Sequence, residues 1–194
     1  MARIVLLFCL VSVAMMGFFQ GAIANPTAPG DGLSRRHNGC RGCGKPIGTR
    51  TAQEVIAELG LTANPEGGYF KETFRDPYMI NTGNGTRSAS TAIYYFLEGK
   101  VGESLWHRLD SAEVWHYYAG APLTLSLSHN DGNGVRKVVL GPDVFKGQQP
   151  HVVIGSWEWQ RAKSEGEWTL VGTTVAPAFD PAFYEIAEAD WNPQ

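Results

Sequence analysis

Cysteine, basic charge and long apolar runs are all scarce in this 194-residue chain, and each scarcity removes a class of protein. Only three cysteines are present, and Cys9 lies in the apolar first segment, so no disulfide framework holds the fold. Cys40 and Cys43, in "GCRGCGKP", are the remaining pair. A zinc site needs further ligands, and only His37 is near. A redox pair would open a helix beside a strand, whereas this one sits among Gly, Pro and Arg. The two thiols are expected to close as a local disulfide or to link chains, and so short a loop adds only about 2 kcal/mol. Lys and Arg total 16 against 19 Asp and Glu, a formal charge of −3. That balance offers no basic surface to a phosphate backbone and excludes a nucleic-acid partner.

Apolar runs are confined to residues 1–24, "MARIVLLFCLVSVAMMGFFQGAIA", where one arginine precedes an apolar stretch that ends in Ala22-Ile23-Ala24. The small-x-small ending predicts a secretory signal cleaved after Ala24, rather than an uncleaved anchor. The mature chain then begins at Asn25 with a formal charge of −4, in an extracellular setting and with no membrane attachment. Residues 25–50 are rich in Gly and Pro without an apolar period, and read as a flexible leader. Arg35-Arg36 within it is either a dibasic processing site or a surface pair. Residues 51–194 are long enough to enclose one core without staples.

Helical periodicity is the other thing this domain has little of. It occurs once, where Thr51 and Glu54 have capping-box spacing, Val55, Ile56 and Leu59 share a face, and Gly60 ends the helix. Beyond it come "YFKETF", "STAIYYFL", "SLWHRL", "EVWHYYA", "LTLSLS", "VRKVVL", "PHVVIG" and "WTLVGTTV", each with strand character. Turn pairs such as Asn84-Gly85, Asp131-Gly132 and Gly141-Pro142 punctuate them. Many short strands at regular spacing predict an all-β sandwich or small barrel, which hides its edges by closing. Asn84-Gly85-Thr86 is also an N-glycosylation sequon, usable because the chain is expected to be secreted.

The chemistry concentrates in "WHRLDSAEVWH". His107 ends one strand, Leu-Asp-Ser makes a turn, and Glu113 opens the next strand, so the two face each other across a hairpin. Alternation puts Glu113, Trp115 and Tyr117 on one face and His116 on the other unless a bulge intervenes. A carboxylate buried there needs a donor, and His107 is the nearest in sequence.

His107, Glu113 and Gly120 have the spacing of the first conserved motif of the cupin superfamily, in which two histidines and a glutamate bind a divalent metal inside a β-jelly roll. "NPEGGYFKETFR", "STAIYYFLEG", "SLWHRLDSAEVWHYYAG", "LVGTTVAPAFD" and "FYEIAEAD" resemble, in order, the blocks of the fifth cupin family, formerly a domain of unknown function. The resemblance covers residues 51–191. It implies an all-β double-stranded β-helix (cupin jelly roll), RmlC-like and similar in fold to sugar-nucleotide epimerases, with a short N-terminal helix. It also implies a homodimer, by analogy with other cupins.

The departures bear on metal. Leu109 stands where the second histidine of the motif belongs, and the histidine of the second cupin motif falls near Trp159. Asn64, Ile154-Gly155-Ser156 and Ala178 also differ from the family pattern. Two of four ligands remain, so no cofactor is expected; a divalent metal, if bound, would use His107 and Glu113.

The ligand expected is a small, carbohydrate-like molecule. Its pocket is expected to hold His107 as base, Glu113 to orient it, and Tyr94 or Tyr117 to return a proton, as in a metal-independent epimerase or isomerase. Tyr69, Glu72, Arg75, Trp115, Trp157 and Trp159 are the candidate ligand-binding residues, the aromatics for their apolar faces and polar edges. Each has a plainer role open to it: tryptophans fill cores, and Arg75 pairs with Glu72 or Asp76. A non-catalytic recognition or immune-modulating module and a metal-dependent cupin enzyme are the alternatives.

Overall fold

The computed structural model describes residues 44–83 and 85–194. The expected signal, most of the leader, Cys40, Cys43 and the sequon asparagine Asn84 lie outside the described residues. Among the described residues, no helix is long and apolar enough to cross a membrane.

The helix α1 runs Ala52–Leu59 and starts as a complete capping box. The Thr51 side chain accepts from the Glu54 amide, and the Glu54 carboxylate accepts from the Thr51 amide. Gly60, left-handed at φ 62°, ends it. The strands follow as β1 (Thr62–Ala63), β2 (Tyr69–Arg75), β3 (Met79–Asn81), β4 (Thr86–Ser88), β5 (Thr91–Glu98), β6 (His107–Leu109) and β7 (Ala112–Gly120). Then come β8 (Leu123–Ser128), β9 (Arg136–Leu140), β10 (His151–Ile154), β11 (Trp159–Ser164), β12 (Trp168–Ala176) and β13 (Tyr184–Ile186).

They form two antiparallel sheets, in the orders β1-β2-β5-β12-β7-β10 and β13-β6-β11-β8-β9, with β3 and β4 as a separate hairpin. Strand alternation builds the core between the two sheets. Tyr95, Leu97, Trp115, Val152, Ile154 and Val171 come from one, and Leu123, Leu125, Leu127, Leu140 and Ala162 from the other. The opposite face of the six-stranded sheet carries a second core, in which Val55 of α1 packs with Leu61, Phe96, Ala119, Trp168 and Leu170. Phe96 stacks on Trp168 at 5.4 Å, and the Trp168 indole donates to the Arg50 carbonyl at 3.0 Å.

The pairing of β7 with β12 slips where Val171 opposite Tyr117 is followed by Leu170 opposite Ala119. Tyr118 is the extra residue of this bulge, so Ala119 joins the outer core while Trp115 and Tyr117 remain inside. Strand β11 is absent from the sequence expectation for a visible reason. Its inward residues are Gln160, Ala162 and Ser164 and its outward ones include Arg161 and Lys163, so no apolar alternation announces it.

Candidate active site in the jelly roll

At one end of the roll, between the two sheets, lies a cavity of about 320 Å³. The β6–β7 hairpin supplies two of its polar groups. His107, 3% exposed, and Glu113, 6% exposed, both line it, as does Leu109. Arg87 braces the turn between them, donating from Nη1 to Asp110 Oδ1 at 3.2 Å and from Nη2 to Asp110 Oδ2 at 2.8 Å and Ser111 Oγ at 2.9 Å. His116 takes the opposite face, where its Nε2 lies 3.4 Å from the Thr174 hydroxyl.

His107 and Glu113 do not pair directly in the way their sequence proximity suggests. Glu113 Oε2 accepts from Gln160 Nε2 at 2.7 Å, and Gln160 Oε1 accepts from the Trp115 indole at 3.0 Å. Thr173 lines the cavity with Glu113. Burial pushes that carboxyl above its ordinary range, against the downward pull of His107, Thr173 and Gln160. Gln160 holds this place because β11 pairs with β6 so that Gln160 lies opposite His107. The inward position on β11 therefore belongs to Gln160, and neighbouring Trp159 faces away.

His107 instead meets Glu66, from the loop between β1 and β2. Its Nε2 lies 3.5 Å from Glu66 Oε2, and its Nδ1 lies 3.1 Å from the Leu105 carbonyl. A carbonyl only accepts, so Nδ1 carries a proton and Nε2 is the nitrogen that turns to the carboxylate. Tyr184 of β13 donates to Glu66 Oε1 at 2.8 Å, completing a chain of Tyr184, Glu66 and His107. Burial, reinforced by Glu66, pushes the Tyr184 and Tyr95 phenols above their ordinary range, so both remain protonated donors. Gly68 places the loop. At φ 73° it lies so close to β5 that a Cβ there would collide with the Phe96 carbonyl oxygen.

Glu72 and Arg75 also line the cavity, at its exposed side, joined by two hydrogen bonds of 2.9 and 2.7 Å. Trp115 is part of the wall, in edge-to-face contact with Tyr95 at 5.6 Å. Five sequence candidates do not reach it. Tyr94 is on the outer face of β5, edge-to-face with Tyr118 at 6.0 Å, and Tyr69 packs in the outer core beneath α1. Tyr117 points inward against the main core, with its hydroxyl donating to the Gly120 carbonyl. Trp157 and Trp159 lie with Arg108, whose guanidinium is 5.3 Å from one ring and 4.6 Å from the other; Trp159 also packs on Trp191 at 4.4 Å. Strand parity decides two of these placements: Tyr94 alternates with inward Tyr95, and Trp159 with inward Gln160.

Tyr95, Gln160, Thr173 and Tyr184 are absent from the sequence assignment, whereas Glu66 belongs to the same charge-rich block as the candidates Tyr69, Glu72 and Arg75. Glu66 and Tyr184 do sit within the family-like blocks, whereas nothing in "WQRAKS" singles out Gln160. For a cation, the cavity offers His107, Glu66 and Glu113, but among the described residues no three His, Cys, Asp or Glu side chains group as a metal-binding set.

The fold has counterparts in known proteins. An uncharacterized protein of Saccharomyces cerevisiae is 28% identical over 144 residues, covering 66% of this chain and 71% of its own. A hypothetical protein from Leishmania major superposes with a TM-score of 0.65 at 29% identity, covering 70% of this chain and 86% of its own. A protein from Shewanella oneidensis gives a TM-score of 0.65 at 26% identity, with 72% and 85% covered. Residues 53–187 match the family model described as "Cupin superfamily (DUF985)". With the two-sheet roll and the block order already described, that match places the chain in the DUF985 family of the cupin superfamily.

Proposed function

We propose that the cavity binds a small, carbohydrate-like molecule and that His107 moves a proton on it, as a metal-independent epimerase or isomerase. The observation that carries this reading is the convergence of His107, Glu66, Glu113 and Tyr184 on one largely apolar cavity of about 320 Å³. That volume is at the small end of the range of about 300–1,000 Å³ found for ligand sites, and suits a single ring. Phe70, Trp115, Phe179 and Tyr184 supply flat faces for it.

Within this reading, His107 Nε2 accepts a proton from a carbon next to a carbonyl, while its Nδ1–H is held by the Leu105 carbonyl. Glu66 balances the imidazolium so formed. Tyr184, a donor hydrogen-bonded to Glu66, returns a proton to the substrate and replaces Tyr94 and Tyr117 in that role. Glu113 shapes the other wall through Gln160 and Thr173. The same proposal sets the protein outside the cell, after cleavage of residues 1–24, as a homodimer.

The test is a panel of free and nucleotide-linked sugars. Binding is followed by the rise in melting temperature, and turnover by loss of a C–H proton signal in deuterated water. Wild-type protein should bind and exchange, and His107→Gln should bind without exchange. Binding without exchange by the wild type would replace catalysis with a recognition module; no binding by any sugar would end the carbohydrate reading.

A further inference from the structure

The charged groups that face the cavity do not balance. Glu66, Glu72 and Glu113 line it, against Arg75 and His107. Neither of these two groups lacks a carboxylate partner. Arg75 donates from Nε and Nη2 to the Glu72 carboxylate, with the negative charge of Asp180 close by. His107 commits one nitrogen to the Leu105 carbonyl and presents the other to Glu66. Glu113, only 6% exposed, is hydrogen-bonded by a neutral group, the amide of Gln160. No lysine and no second arginine is among the described residues of the wall. One buried carboxyl group therefore faces the cavity with no cation hydrogen-bonded to it, a costly arrangement unless it keeps its proton or meets a positive charge.

The rest of the wall also suits a positive charge. Phe70, Tyr95, Trp115, Phe179 and Tyr184 all line the space, and aromatic faces attract cations through their quadrupoles. A phosphate or carboxylate in the same place would meet Glu66 and Glu113, and the one guanidinium of the described wall, Arg75, is already paired with Glu72.

We infer that the ligand of this cavity carries an amine cation and that the site rejects anions, an inference that rests on the reading of the cavity as a ligand site. Within the carbohydrate class, this selects a sugar bearing a free amino group over sugar phosphates, uronic acids and nucleotide-linked sugars.

The experiment is titration calorimetry at neutral pH with two matched sets. Glucosamine, glucose and glucuronate differ in charge on a sugar frame; benzylamine, benzyl alcohol and benzoate do so on an aromatic one. In each set that binds, wild-type protein should favour the amine over the neutral member by at least about tenfold, equivalent to about 1.4 kcal/mol, and should show no measurable affinity for the anion. Glu113→Gln should reduce that preference at least threefold. The order in wild-type protein is informative without the variant. If the sugars fail while benzylamine binds over benzoate, the carbohydrate reading falls and the charge selectivity stands. An anion bound as tightly as the amine in either set overturns the inference. So does an amine preference unchanged in folded Glu113→Gln, or absence of binding by every member of both sets.

Discussion

Replacing Glu113 with glutamine tests the central electrostatic claim about the cavity without changing the shape of the side chain. Glu113 is buried, and desolvation lifts its carboxyl above the ordinary value of 4.5 more strongly than His107, Thr173 and Gln160 lower it. Below that ordinary value, the folded and unfolded states both hold the proton and the group makes no pH-dependent difference. Above it the unfolded chain releases the proton while the folded one keeps it, so the folded state binds more protons and stability falls as pH rises. The slope approaches about 1.4 kcal/mol per pH unit and ends where the folded group ionises in turn. Glutamine has no proton to release, and its amide can still accept from Gln160, so the variant lacks this slope. For a domain of this size, each kcal/mol shifts the melting temperature by roughly 2–4 °C. Thermal unfolding of both proteins should therefore coincide near pH 4 and diverge toward pH 8, with Glu113→Gln the more stable at the upper end. All other titrating groups largely cancel in the difference. A variant less stable than wild type at pH 8, or a difference that does not grow between pH 5 and 8, would refute the reasoning. It would mean that Glu113 is ionised in the fold and held by His107.

Removing Arg87 strands Asp110, whose side chain is 15% exposed and whose partner is 10% exposed. Arg87→Ala should cost about 3–5 kcal/mol in urea unfolding at unchanged m-value, and a loss below about 1 kcal/mol would show that the β6–β7 turn does not depend on the pair. Gly68→Ala forces a Cβ toward the Phe96 carbonyl at a positive φ; it should destabilise by about 1–3 kcal/mol and displace Glu66 enough to weaken ligand binding, whereas full stability would show the loop able to shift freely. N-terminal sequencing of the protein secreted from a eukaryotic host should begin at Asn25, and a start at Met1 would remove the extracellular setting.

Local pattern carried the fold far. The capping box at Thr51 and Glu54 marks α1, and the alternation of Leu123, Leu125 and Leu127 marks an inward strand face, because both depend on neighbours within a few residues. The same parity put Glu113 and Trp115 on one face and His116 on the other, and the short turn brought His107 beside them. Which group answers each charge was decided at longer range. Glu113 bonds to Gln160, 47 residues away, and not to His107, six residues away, because β11 lies beside β6 in the sheet. Glu66 and Tyr184 meet 118 residues apart, on elements joined only by the closed roll. The exclusion of Tyr94 and Trp159 from the cavity has the same origin. An aromatic residue suits a core, an outer face or a ligand wall equally by composition, and only the pairing of strands determines which side it occupies.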